Sequence, residues 1–168
     1  DNNPLVNYKF ESFKGAGHYS QTLYAIPSAL HQIFESYKPI SSSEFSNKIA
    51  LLPSGYVDYL EKKYSTLNEA LHLDVPIRIN DFKAIEAAIL KNNAFSELDQ
   101  LAILADKYYP KSMLAEYELG LMYEKQEDYK KAMKRYQNAS QMQEIGALTK
   151  TMMLEKYDLM LSKNAPKK

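Results

Sequence analysis

Three histidines carry most of the chemical potential of this 168-residue chain, which has no cysteine. They are His18 in "KGAGHYS", His31 in "SALHQIF" and His72 in "ALHLDVP". An imidazole changes charge near neutrality and so serves as acid, base or metal ligand. A metal reading fails on spacing, because the three stand far apart without acidic companions at ligand intervals. His31 and His72 read as helix-surface or packing residues. His18 differs in its context: Gly15 and Gly17 punctuate a turn between a candidate strand and a helix. Such a turn can hold an imidazole accurately while both ring nitrogens stay usable, which is what a general base beside a serine requires. No Gly-x-Ser-x-Gly, Walker loop, His-Glu-x-x-His or EF-hand pattern accompanies it. The chain therefore carries no complete active site, and neither a cofactor nor a metal is expected. His18 is either a general base whose partners lie in another stretch of polypeptide or a turn residue with no chemical duty.

The elements that would position it are short. In "NYKFESF" (7 to 13), Tyr8 and Phe10 alternate with Lys9 and Glu11, and the aromatics favour a strand. A lone strand has unpaired backbone on both edges, which predicts pairing with another strand or a second copy, or else disorder. "IPSALHQIFESY" (26 to 37) predicts a helix with Pro27 in its first turn. Residues 39 to 53 read as a linker, since Pro39 ends that helix and the following serines favour turns. "SGYVDYLEKKYSTLNEALH" (54 to 72) predicts a helix with Tyr56, Tyr59 or Leu60, Tyr64 and Leu67 as its apolar stripe. Five more helices of about 13 to 17 residues follow with very short turns, the pattern of stacked helical hairpins.

Composition limits the partners. Lys plus Arg and Asp plus Glu each number 21, so no net field draws polyanions, and nucleic acid is not an expected partner. No apolar run reaches the roughly 20 residues of a membrane span. The compartment stays open, since absence of cysteine decides nothing there. The opening "DNNPLVNYKF" has neither an initiator Met nor a signal-peptide pattern, which predicts a fragment or processed product.

Residues 113 to 142 hold the sharpest pattern. Leu119, Gly120 and Tyr123 on one helix are followed by Ala132, Tyr136 and Ala139 on the next. This resembles the tetratricopeptide repeat, with Leu-Gly-x-x-Tyr on its first helix and Ala-x-x-x-Phe or Tyr on its second. Gly120 and Ala132 would let two helices approach closely, Tyr123 and Tyr136 would fill the space beside them, and Asp128 would cap the second helix. One period earlier, Ala105 and Pro110 fit the repeat, whereas Ala102 replaces its aromatic and Glu86 its glycine. Residues 79 to 112 thus resemble a degenerate repeat, and 144 to 162 a terminal capping helix. Lys130, Lys131, Lys134 and Arg135 form a basic stripe, read as a solvated surface with Glu127 supporting Lys131, or as a binding face.

"NYKFESFKGAGHYSQTLYAIPSALHQIFESY" resembles the C-terminal end of bacterial α/β-hydrolase esterases of the enterochelin esterase and esterase D kind. There the last strand leads to the catalytic His and a final helix, and some members continue into a tetratricopeptide-like tail. The resemblance implies a mainly α chain: residues 1–38 left over from the hydrolase domain as one strand and one helix, 39–53 a linker, and 54–168 stacked helical hairpins. It also implies that His18 is the general base of a serine esterase, that Asp1 is not the triad acid because that acid lies well upstream, and that this chain is inactive alone. The expected partners are its own hydrolase domain, another protein or peptide, or a second copy through strand 7–13. The alternative is a stand-alone interaction or dimerisation module without catalysis.

Overall fold

The computed structural model describes residues 10–34 and 37–165. They are mainly helical, with α1 (His18–Ile33), α2 (Ser42–Asn47), α3 (Tyr56–Leu71), α4 (Ile79–Lys91), α5 (Glu97–Tyr108), α6 (Leu114–Lys125), α7 (Tyr129–Ser140) and α8 (Lys150–Asn164). No sheet forms among the described residues. The chain divides into two compact units, 1–38 and 39–168.

In the first unit, residues 10–13 are irregular rather than strand, and residues 7–9 of the expected strand lie outside the described residues. A strand needs a neighbour to satisfy its backbone, and no described segment of this unit supplies one. The segment instead folds along α1. Phe13 stacks on Tyr24 at 5.8 Å, and the Ser28 hydroxyl donates to the Glu11 carboxylate. The helix also starts earlier than expected: Gly17 caps it, His18 opens it, and Pro27 stands inside rather than in the first turn. "HYSQTLYA" contains no breaker, so the helix propagates through it, and Pro27 removes one backbone donor without ending the helix.

The second unit packs each helix on its chain neighbours, α5 on α6, α6 on α7 and α7 on α8. Its core runs along the stack, with Tyr56, Leu60, Phe82, Ile85, Ile89, Leu101, Tyr136 and Met153 fully or almost fully buried. The expected stripe of α3 is in place: Tyr56, Leu60, Tyr64 and Leu67 are buried and Tyr59 half-buried. Residues 39–53 are no linker but part of this unit. Ser41 caps α2, and Ile49 is completely buried in the 3-10 turn Ile49–Leu51 that follows. Polar caps at its surface disguise this segment, in which Ile49 and Ala50 are buried while Leu51 stays exposed.

The Gly120 reading is met by the packing. A methyl group there would stand 2.6 Å from Cε1 of Tyr136, whose buried ring occupies that space. Asp128 caps α7, accepting from the Lys131 amide at 3.2 Å. The Lys131 ammonium pairs with Asp128 at 2.8 Å rather than with Glu127, which lies before α7 at φ 61° and so leaves the helical register. The last helix starts later than expected, at Lys150 after a Thr149 cap, because residues 144–149 form a turn with Gly146 at φ 60°.

Candidate functional site

His18 is exposed at the opening of α1 with the Tyr19 ring edge-on at 5.4 Å. The neighbouring Ser20 hydroxyl turns away, donating to the Gly17 carbonyl at 3.1 Å. His31 lies exposed in the last turn of α1, 3.1 Å from the Lys38 ammonium. His72 closes α3 in the left-handed conformation at φ 51°. The histidines thus serve three separate local roles, and among the described residues no group of three or more His, Asp or Glu is arranged to hold a metal.

The face of α1 is distinctive. Tyr19, Leu23, Ile26, Leu30 and Ile33 recur at intervals of four, three, four and three, which places them on one stripe about 80° wide. No residue of α1 is buried, and Leu23 remains 74% exposed. A lone exposed leucine is ordinary, whereas five exposed apolar residues aligned on one helix face are not.

In the second unit, polar groups gather under α6. Glu118 is completely buried, and both of its carboxyl oxygens lack a hydrogen-bond partner. Burial, reinforced by the nearby Glu86, raises its pKa well above the ordinary 4.5. Glu86 is also shifted upward by burial, opposed by the Tyr117 hydroxyl, which donates to it at 3.1 Å, and by Lys156 and Lys83. Glu124 is treated differently. Tyr136 donates to it at 2.6 Å and Lys156 at 2.9 Å, and together they outweigh desolvation and hold its carboxyl below the ordinary range. Lys156 also stands over the rings of Tyr136 and Tyr117, at 5.0 and 5.9 Å. This layer ties α8 to α6 and α7, and its aromatic and carboxyl members face one another rather than an open cavity.

The open site lies on the other side of α6. A groove of about 610 Å³ runs between α5 and α7, with Ala102, Ile103, Leu119 and Met142 among its apolar lining. Asp99 and Asp106 stand on its rim from α5, one turn on either side of Ile103, which is 66% exposed. Glu116 is committed to Arg135 at 2.9 Å and Asn138 at 3.0 Å. A second groove of about 240 Å³ between α3 and α5 shares Ile103 and adds Asp58 and Glu61. Arg135, expected in a basic stripe with Lys130, Lys131 and Lys134, is thereby drawn onto Glu116, one of the groove's lining residues. Sequence reasoning missed this site. Its signal was Asp-x-x-x-Ile-x-x-Asp (99 to 106), an exposed apolar residue between acids on one helix face.

No protein-family model matches the chain, and no curated protein matches it. It is similar to a solved structure, an uncharacterised protein from Capnocytophaga ochracea, at 32% identity over 94% of this chain with a TM-score of 0.80. This chain spans 44% of that protein's length.

Proposed function

We propose that the chain is the C-terminal region of a serine esterase acting on an acyl ester. Residues 1–38 form the end of its α/β-hydrolase domain, His18 is the general base, and the helical stack is an appendage. The observation that supports this best is the unburied apolar stripe of α1, which begins one residue after His18. A final hydrolase helix would bury such a face on the rest of its domain. The length of the Capnocytophaga ochracea protein is compatible with this reading, since more than half of it lies outside the match. In this scheme the imidazole takes the proton of a serine supplied by the remaining polypeptide as that serine attacks the ester carbonyl. Labelling with a serine-directed fluorophosphonate tests the assignment. The full-length protein should label, the 168-residue chain should not, and His18→Ala in the full-length protein should abolish labelling. Labelling unaffected by His18→Ala, or none in any form, would refute it.

A second reading rests on the groove of α5, α6 and α7. Here α4 with α5 and α6 with α7 are tetratricopeptide-like hairpins capped by α8, and the stack is a protein-interaction module. The tight Gly120 to Tyr136 approach and the buried Ala132 and Ala139 support that repeat assignment. Its test is binding, taken up below.

A further inference from the structure

We infer that the groove over α6 receives a basic amphipathic helix, its apolar side chains on Ile103 and Leu119 and its Lys or Arg residues against Asp99 and Asp106. The inference rests on the interaction-module reading and is independent of the esterase assignment.

Shape and charge lead to this occupant together. The groove is open, with residues of α5 and α7 lining its sides and α6 between them, a form that accepts a helix. Its floor is apolar, so affinity would come from burying two or three aliphatic side chains. Ile103 projects between this groove and the smaller one beside it, where it would separate side chains one turn apart. The rim then selects among apolar helices. Asp99 and Asp106 lie seven residues apart on α5, about 10 Å along its axis, so basic residues at i and i+7 of a ligand match both. Asp58 and Glu61 extend the same sign past Ile103, with Lys107 the one basic residue lining the second groove. Glu116 adds no attraction, because Arg135 already compensates it. In a chain of zero formal net charge, this concentration of carboxylates is local, and it rejects acidic helices as well as attracting basic ones.

The test uses the 168-residue chain, isotopically labelled for amide spectra, and two synthetic peptides of about 14 residues, long enough for a helix along the groove. Both carry leucine at i, i+3, i+4 and i+7; one has lysine at the flanking positions and the other glutamate. The lysine peptide should shift amides of α5 to α7 around Ile103, Asp106, Leu119 and Met142. Its binding should weaken as sodium chloride rises from about 50 to about 300 mM. Asp99→Lys with Asp106→Lys should cost the lysine peptide about tenfold or more and make the glutamate peptide the better ligand. Both sites are exposed, so the fold should persist, and Asp99→Asn with Asp106→Asn gives the smaller loss if the swap disturbs the first turn of α5. The inference is overturned if both peptides bind alike, if the swap leaves their order unchanged, or if shifts fall on another face of the stack or on α1. Shifts on another face of the stack would leave the interaction module standing without this groove. If neither peptide binds anywhere, the groove inference falls and the module reading loses its support.

Discussion

At the scale of single residues, Glu118 and Gly120 show how completely α6 is committed to its neighbours. Glu118 holds its proton more tightly in the folded chain than unfolded, where its ordinary value is 4.5. Folding therefore takes up a proton at pH above about 4.5, and stability, greatest below that point, falls as pH rises toward the raised folded value. Glu86, Tyr117, Glu124, Tyr136, Lys83 and Lys156 are titratable groups of this layer, and Glu86 drifts in the same direction. Glu118→Gln cannot ionise, so its urea midpoint should vary less between pH 5 and 8 and should lie above that of the parent at neutral pH. A variant with an unchanged pH profile would remove Glu118 as the source. For Gly120→Ala, the helix gains about 1 kcal/mol in propensity, but the new methyl meets the buried ring of Tyr136 at 2.6 Å. Overpacking of this kind costs about 1 to 3 kcal/mol, so a net loss of about 1 kcal/mol is expected by thermal unfolding.

At the scale of elements, α3 is begun by a residue of another helix. Its own cap position is Gly55, which has no side chain to offer. Glu97, in the first turn of α5, accepts from the Gly55 and Tyr56 amides at 2.7 Å each. Glu97→Ala should destabilise the stack by about 2 kcal/mol and Glu97→Gln by about half as much, measured by urea unfolding. Such a link is invisible to a reading that looks for caps in local sequence. Periodicity made α3 to α7 legible, because a stripe such as Tyr56, Leu60, Tyr64 and Leu67 depends on one helix alone. It failed where signals conflict: Pro27 reads as a helix opener but lies inside α1, and the serines of 39–53 hide a segment anchored by Ile49. His18 was legible as a residue of interest, whereas the groove was not, because it exists only when α5, α6 and α7 meet.

At the scale of the whole molecule, the two units differ in what they bury. The unit 39–168 has a continuous core, while α1 buries none of its residues. Residues 39–168, which hold that core, should unfold cooperatively by themselves when followed by thermal circular dichroism, and a broad, non-cooperative transition would contradict this division. The cap of α3 has a further consequence for synthesis. The Gly55 amide waits for a carboxylate 42 residues further along the chain. As the polypeptide leaves the ribosome, α3 emerges without the acceptor for its first turn, and it gains that acceptor only once α5 has been made. The N-terminal part of the stack is thus finished by its middle, and a nascent chain stopped before residue 97 should expose α3 to proteases that spare it a few tens of residues later.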